Sequence, residues 1–165
     1  QQAKAFFDAQ AAHIEPILEK EKTGLSVAFF AVASDGTITV RKPNDYVSSM
    51  IELAGGTYSL NGYVPEEENA LSTLKMQMED FYAAEKDADI LIYNGTIEGE
   101  LTSIDELVQK NSLFADFKAV KTGQVYTTGS NFYQQTSGTC DFIEDLNKVL
   151  NGETDAEYRF LKKIN

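Results

Sequence analysis

The hydrophobic and polar positions of the 165-residue chain alternate between the period typical of strands and the period typical of helices. Nearly continuous apolar runs at 25–32 and 88–93 predict two strands that are buried on both faces, as in a parallel sheet. Alternating positions at 37–40 predict a hairpin partner for the first strand, and 124–128 predict a further strand. Strands that alternate with helices indicate an α/β fold, a three-layer α/β/α lobe with a mainly parallel sheet.

Helical spacing of three and four residues recurs between these strands. The first predicted helix covers 3–22, and Pro16 inside it predicts a kink or a late start because proline has no amide hydrogen to donate. A second helix has Asn44 or Asp45 as its N-cap and the glycine pair 55–56 at its end. The apolar faces are Phe7, Ala11, Ile14 and Leu18 in the first helix, and Val47, Met50, Ile51 and Ala54 in the second.

The second half of the chain predicts further elements, one of them ambiguous. Residues 71–81 fit either one long helix or a short strand at 74–76 with a helix that begins near Gln77. A flexible loop is expected at 94–100, and 103–106 has the sequence of a capping box that opens a helix. The last two predicted helices have apolar faces formed by Cys140, Ile143, Leu146 and Leu150, and by Tyr158, Leu161 and Ile164.

Charge narrows the range of partners. The chain has 14 Lys plus Arg and 26 Asp plus Glu, which gives a formal net charge of −12. Nucleic acids and anionic lipid surfaces need clustered cations and are therefore poor partners. No apolar run approaches the ~20 residues that cross a bilayer. The single cysteine, Cys140, permits no internal disulfide and no cysteine-based metal cluster.

The residue types that carry most enzyme chemistry are sparse. His13 is the only histidine, which argues against a transition-metal site or a Ser-His-Asp site. We expect His13 to be structural or solvent-exposed and Cys140 to pack in the core. The glycine pair 55–56 follows a helix instead of joining a strand to a helix, so it does not form a phosphate-binding loop. The sequence therefore predicts no catalytic residue, no metal site and no resident cofactor.

Polar and aromatic residues follow the predicted strands. In open α/β sheets ligands bind beyond the carboxyl ends of the strands, so a ligand site is expected in these loops. The candidate ligand-binding residues are Arg41 and Tyr46 after the first strand unit, Asn94 after the second, and Asn131, Tyr133 and Gln134 after the third, with Lys42, Thr96 and Glu98 in the same loops. The residues alone indicate a ligand-binding site and no catalytic one.

Three stretches of the chain together resemble a known family. They are 46–56 (YVSSMIELAGG), 78–94 (MEDFYAAEKDADILIYN) and 117–126 (FKAVKTGQVY). In this order and spacing they resemble the C-terminal lobe of the periplasmic-type, class III substrate-binding proteins of ABC importers for iron–siderophore, haem or cobalamin. The resemblance covers about residues 1–152.

The resemblance implies a domain organisation and a function. Residues 1–22 would be the end of a long helix that connects two lobes, and 23–165 the C-terminal α/β lobe, with the N-terminal lobe, the export signal and a lipid-attachment cysteine outside this sequence. The protein would bind an iron chelate or cobalamin through aromatic faces and cationic or amide groups, and would deliver it to ABC permease subunits. It would be extracytoplasmic, either periplasmic or lipid-anchored on the outer face of the cell membrane, and monomeric.

The family also implies that a carboxylate on each lobe docks into basic pockets of the permease. In this chain Glu79 matches that position at the start of a helix, although Gln77 stands where the family often has serine. This match favours the alternative in which the helix begins near Gln77. An ordinary acidic residue in the first turn of a helix would fit the same position, because it faces the positive end of the helix dipole.

Two functions of other classes remain open at this point. One is a small flavodoxin-like domain that binds a cofactor or catalyses a reaction, and the other is an α/β interaction domain without a small ligand. The missing phosphate-binding loop and the missing catalytic pair count against the first. A structure without a pocket at the sheet would support the second.

Overall fold

A computed structural model of the chain describes residues 2–64, 71–130, 132, 138–153 and 156–165. Helices and strands alternate along this part of the chain, and its strands form one mixed sheet. In chain order the elements are α1 (Gln2–Leu18), β1 (Ser26–Val32), β2 (Ile38–Arg41), α2 (Tyr46–Leu53), β3 (Thr57–Tyr58), β4 (Thr73–Met76), α3 (Met78–Glu85), β5 (Ile90–Tyr93), α4 (Gly95–Glu98), α5 (Ile104–Lys110), a 3-10 helix (Ser112–Asp116), α6 (Lys118–Lys121), β6 (Val125–Thr128), α7 (Thr139–Leu150) and β7 (Leu161–Lys163).

The sheet has parallel strands at its centre and antiparallel strands at its edges. The order across it is β4-β2-β1-β5-β6-β7, and the two-residue strand β3 lies parallel to the beginning of β1. The strands β1, β5 and β6 are parallel, whereas β2 is antiparallel to β1, β4 to β2, and β7 to β6. A hairpin can join only antiparallel strands, and parallel strands need a longer crossover. The predicted α/β class is confirmed, with its parallel pairs concentrated at the centre of the sheet.

Both faces of β1 are covered, as its continuous apolar run predicts. On one face the ring centroid of Phe30 lies 4.9 Å from that of Phe81 in α3. On the other face Phe29 contacts Phe132, which packs against Phe142 of α7 at 4.4 Å. Neighbouring residues of a strand point to opposite faces, and α1 and α2 also pack against α7. Helices therefore cover the sheet on both sides, and the three-layer α/β/α arrangement is confirmed.

Two helix starts have the caps that the sequence predicts. The Asp45 carboxylate accepts a hydrogen bond from the amide of Val47 at 2.7 Å at the start of α2. At the start of α5 the Ser103 hydroxyl accepts from the amide of Glu106 at 3.2 Å, and the Glu106 carboxylate accepts from the amide of Thr102 at 2.8 Å. These bonds satisfy amides that have no partner inside the helix.

The first helix differs from its prediction. It ends at Leu18 instead of residue 22, and Leu18 is 50 % exposed. Ile17, 7 % exposed, contributes the buried contact in its place, and the side chain of Phe7 lies outside the described part of the chain. Pro16 stands in the last turn, so a late start is wrong and the helix ends two residues after the proline.

Three other segments are decided by the structure. The ambiguous region 71–81 contains the strand β4 followed by α3, so the single long helix is wrong. The loop expected at 94–100 contains the short helix α4. The helix expected near the C-terminus is instead the strand β7, because the buried Asp145 carboxylate accepts hydrogen bonds from the amides of residues 159–161 at 2.7–3.2 Å. Those amides are thereby held in an extended segment beside β6.

Candidate functional site

The sheet separates the predicted ligand-binding residues into two groups. The strands β2 and β5 flank β1 on opposite sides, and Val40 and Tyr93 both lie opposite Phe30. Since β2 and β5 run in opposite directions, Arg41 after Val40 and Asn94 after Tyr93 lie toward opposite ends of the sheet. The sequence predicted one ligand site beyond the ends of these strands, which would require β2 and β5 to run in the same direction. The structure therefore does not bring Arg41 and Asn94 into one cluster.

The segment 41–46, which we call the β2–α2 corner, holds a cation, a carboxylate and an aromatic ring together. The Arg41 guanidinium donates two hydrogen bonds to Asp45, from Nε to Oδ1 at 3.0 Å and from Nη2 to Oδ2 at 2.7 Å. These side chains are 10 % and 5 % exposed. The guanidinium carbon lies 4.7 Å from the ring centroid of Tyr46, which is 49 % exposed. The corner thus presents an aromatic ring to solvent above a charge pair that is neutral overall.

A tight turn builds the corner. Asn44 has φ +62°, in the left-handed region that asparagine adopts more readily than most residues. The amide of Asp45 donates to the carbonyl of Lys42 at 3.2 Å, and the hydroxyl of Ser48 donates to the carbonyl of Asp45 at 2.8 Å. Because the Asp45 side chain also caps α2, its carboxylate is held where Arg41 can bind it from the last position of β2.

A buried tyrosine supports the corner from inside the lobe. The Tyr58 hydroxyl donates to the carbonyl of Arg41 at 2.7 Å, and Tyr58 is 1 % exposed. Burial raises the pKa of Tyr58 well above its usual range, and the carboxylate of Glu85 adds to that effect. Tyr58 therefore stays a hydrogen-bond donor at all physiological pH values and fixes the end of β2.

Glu85 in α3 is fully buried. Within the described part of the chain, neither of its carboxylate oxygens has a hydrogen-bond partner. Burial raises the pKa of Glu85 to about 7. The nearby Ser59 hydroxyl donates to the carbonyl of Val27 and not to Glu85. Glu85 is therefore neutral over much of the acidic range and gains charge near neutral pH.

Sequence reasoning missed the partner of Arg41 and the buried glutamate. It identified Asp45 only as a cap, because a spacing of four residues indicates a side-chain pair on a helix and Arg41 lies at the end of a strand. Glu85 continues the helical spacing of Met78 and Phe81 and so lies on the buried face of α3. The helical spacing therefore indicated that Glu85 is buried, but a carboxylate is ordinarily expected to be exposed to solvent.

Asn94 has a structural role in the loop after β5. It is 5 % exposed, and its Oδ1 accepts hydrogen bonds from the amide of Thr96 at 3.2 Å and the hydroxyl of Thr96 at 2.6 Å. Gly95 follows, where a Cβ atom would lie 2.2 Å from the carbonyl oxygen of Thr128. The loops after β5 and β6 thus pack tightly together. Contact of Asn94 with a ligand stays a prediction, as does that of the residues beyond β6.

The other predicted site residues lie elsewhere. Asn131, Tyr133 and Gln134 fall outside the described residues. Glu79 is exposed in the first turn of α3, which begins after Gln77, and Asp80 stands beside it. An exposed carboxylate at the N-terminus of a helix is accessible to a partner and is stabilised by the helix dipole.

His13 joins α1 to α7 through ion pairs. Its Nε2 lies 2.7 Å from a Glu144 oxygen and its Nδ1 lies 4.0 Å from an Asp141 oxygen. The two carboxylates face different ring nitrogens, and they also pair with Lys148 and Arg159 at 2.9 Å and 2.8 Å. These contacts form an ion-pair network between the two helices.

Cys140 behaves as a core residue. It is 8 % exposed, and its thiol donates to the carbonyl of Gln10 at 3.4 Å. Burial raises the pKa of the Cys140 thiol, with the Asp141 carboxylate as the second cause. A thiol with a raised pKa forms little of the thiolate that nucleophilic chemistry needs.

The sequence of the chain matches a known protein family. The model of the family described as "Periplasmic binding protein" matches residues 1–132, which is most of the chain. The chain belongs to this family. The members of this family are solute-binding proteins of transport systems and are not enzymes. A comparison with curated protein sequences gives no match.

Solved structures of binding proteins share the fold. A TroA-like periplasmic binding protein from Veillonella parvula superposes with a TM-score of 0.67 at 13 % identity, over 98 % of this chain and 55 % of its own. The siderophore periplasmic binding protein from the fuscachelin gene cluster of Thermobifida fusca gives 0.65 at 21 % identity, over 92 % and 54 %. An ABC-type Fe3+-hydroxamate transport system protein from Saccharomonospora viridis gives 0.69 at 14 %, over 91 % and 49 %. The chain therefore spans about half the length of these relatives.

Among the described residues, no helix combines the length and the apolar character that a membrane span requires.

Proposed function

We propose that the chain is one lobe, the C-terminal one, of a two-lobed extracytoplasmic receptor that binds a ferric siderophore and delivers it to an ABC permease. In this proposal the segment 1–22 contains the end of the interlobe helix, which is α1 (Gln2–Leu18), and 23–165 is the lobe itself. The family, the match to about half the length of solved binding proteins, and the siderophore and Fe3+-hydroxamate names of two of them support it. Haem and cobalamin are the other cargoes implied by the resemblance, and monomeric state and a lipid anchor belong to the same proposal.

The observation that carries the proposal is the exposed ring of Tyr46 above the fixed Arg41–Asp45 pair. Binding sites for small molecules combine apolar and aromatic surface with a few polar groups that are held in place. A guanidinium that is already bound by Asp45 and covered by a ring keeps its geometry without a ligand, so little side-chain entropy is lost on binding. The corner is therefore a pre-organised platform for one side of a chelate.

Replacing Tyr46 by alanine in the receptor that contains both lobes is expected to weaken siderophore binding about tenfold. The physical reason is the loss of aromatic contact area, and tenfold in affinity corresponds to about 1.4 kcal/mol. Titration calorimetry with a panel of ferric siderophores, haem and cobalamin measures the effect and identifies the cargo.

The matched control is Leu53→Ala, which removes another partly exposed side chain, 42 % exposed, from the opposite end of the same helix. We expect this variant to bind with unchanged affinity. Equal affinities for Tyr46→Ala and the wild type would remove the corner from the site, and a receptor that binds none of the panel would refute the proposed function.

Glu79 is the residue that we propose docks this lobe onto the permease. Glu79→Ala is expected to reduce uptake of iron-loaded siderophore into cells about tenfold, with siderophore affinity unchanged, because a desolvated charge pair with a basic pocket is lost. The substitution should change the stability of the lobe by less than about 1 kcal/mol, since only a helix-dipole interaction is removed.

Asp80→Ala provides the control for this uptake assay. Asp80 is the neighbouring carboxylate in the same helical turn, and one residue along a helix changes the direction of the side chain by about 100°. Uptake that is equally reduced in both variants would indicate a general effect of charge, and full uptake by Glu79→Ala would end the assignment.

A further inference from the structure

The charge balance of the β2–α2 corner bears on the kind of ferric chelate that the proposed receptor takes. Asp45 accepts two hydrogen bonds from one edge of the Arg41 guanidinium, at Nε and Nη2, and this pair is nearly buried. The positive charge of Arg41 is therefore compensated before any ligand arrives. A neutral pair attracts an anion much more weakly than an isolated guanidinium would, because the contributions of its two charges nearly cancel at the distance of a ligand.

The sequence on either side of the corner has no surplus of positive charge. Between residues 38 and 53, Arg41 and Lys42 are balanced by Asp45 and Glu52. These residues belong to a chain of formal net charge −12.

The accessible surface beside the corner is aromatic and apolar. The amide of Lys42 donates to the carbonyl of Ser72 at 3.0 Å, which places Leu71 next to the corner. Leu71 is 67 % exposed and Tyr46 is 49 % exposed. This surface suits a ligand that binds by apolar and ring contacts, since these need no compensating charge.

The two main classes of ferric chelator differ in charge. Hydroxamates bind iron as monoanions, so that three of them neutralise Fe3+, whereas three catecholates bind as dianions and leave the chelate trianionic. A trianion that leaves water needs cations in the site to offset its lost hydration. A neutral chelate, or one with a cationic tail, has no such requirement.

We propose that this lobe selects uncharged or cationic ferric hydroxamates over trianionic ferric catecholates, and that Asp45 sets this preference by neutralising Arg41. The inference rests on the proposed function and narrows its cargo. Asp45 acts here as a specificity-determining residue through Arg41, in addition to capping α2.

The experiment compares the receptor that contains both lobes as wild type, Asp45→Asn and Asp116→Asn. Affinities for ferrichrome, ferrioxamine B and ferric enterobactin are measured by titration calorimetry. We expect the wild type to bind both hydroxamates at least about tenfold more tightly than the catecholate. Asp45→Asn should shift the ratio of affinities about tenfold toward the catecholate, because an amide oxygen can still cap α2 but no longer neutralises Arg41.

Asp116→Asn is the matched control, since it removes one carboxylate from an exposed ion pair with Lys121, at 3.2 Å, between the 3-10 helix and α6. Its ratio of affinities should equal that of the wild type. Tighter binding of ferric enterobactin by the wild type overturns the inference and leaves the proposed function intact, and this comparison needs no variant to fold. An unchanged ratio in a folded Asp45→Asn receptor also overturns it. Failure to bind any ferric chelate, haem or cobalamin refutes the proposed function itself.

Discussion

At pH 8 the Glu85→Gln variant is expected to be more stable than the wild-type chain by about 3 kcal/mol. Glu85 is fully buried without a hydrogen-bond partner in the described part of the chain, and burial raises its pKa from 4.5 to about 7. Each unit of pKa shift corresponds to about 1.4 kcal/mol of free energy between the two protonation states. Glutamine cannot ionise, so the variant avoids placing a charge inside the lobe.

The sign of the pH dependence follows from where the proton is held. Between pH 4.5 and about 7 the unfolded chain has released the Glu85 proton and the folded chain still holds it. The free energy of unfolding therefore falls as the pH rises through this window. The contribution is fully present below pH 4.5 and is lost above about pH 7. In Glu85→Gln this part of the pH dependence should disappear.

Urea unfolding of wild type and Glu85→Gln from pH 4.5 to 8.5 gives the free energy of unfolding of each protein as a function of pH. The contributions of the other titrating groups cancel in the difference between the two curves. Glu79→Gln is the matched control, because it makes the same change at an exposed position of the same helix. Its stability should stay within about 0.5 kcal/mol of the wild type at every pH. Parallel curves for Glu85→Gln and wild type would contradict the assignment of a buried, neutral carboxyl.

Replacing Asp145 by alanine is expected to lower the free energy of unfolding by about 4 kcal/mol. Asp145 is 2 % exposed, and its carboxylate accepts hydrogen bonds from the amides of Arg159, Phe160 and Leu161. A hydrogen bond to a charged group contributes about 1.5–3 kcal/mol, and buried amides left without partners add a further cost. The strand β7 should lose its order first, because this carboxylate fixes the segment that leads into it.

Asp141→Ala is the matched control for Asp145→Ala, because it removes a carboxylate from the same helix. Asp141 lies one turn earlier in α7 and binds the side chain of Arg159 at the surface, whereas Asp145 binds the backbone of that residue. An exposed ion pair contributes about 0–1 kcal/mol, so this variant should be nearly as stable as the wild type. Hydrogen exchange at the amides of β7 then distinguishes the two: fast exchange is expected in Asp145→Ala alone, and protection in both variants would contradict the role of Asp145.

The spacing of apolar residues along the chain predicted most of the helices and strands, because apolar positions are the ones that become buried. The continuous apolar run of β1, the alternation of β2 and the helical spacing of α2 all match the structure. The C-terminal segment shows the opposite case. Tyr158, Leu161 and Ile164 have helical spacing, yet β7 forms there because Asp145 and β6 supply hydrogen-bond partners that are distant in sequence.

The sequence predicted some of the residues of the candidate site, but it did not predict which of them lie together. Arg41 and Tyr46 stand out as polar and aromatic residues after a strand, and the structure joins them to Asp45. Asn94 meets the same sequence criterion but is buried as the cap of α4. The direction of each strand decides which strand ends meet, and direction depends on pairing across the sheet.

The α/β class, the helix caps of α2 and α5 and, through three motifs, the periplasmic binding protein family follow from the amino-acid sequence alone. These features depend on neighbours within a few residues or on motifs in chain order. Three other features appear only in the folded lobe: Arg41 is neutralised, Glu85 is buried without a hydrogen-bond partner among the described residues, and the C-terminal segment is a strand. Each of these depends on solvent exclusion or hydrogen bonds set by the folded lobe, and desolvation is a property of the folded chain as a whole.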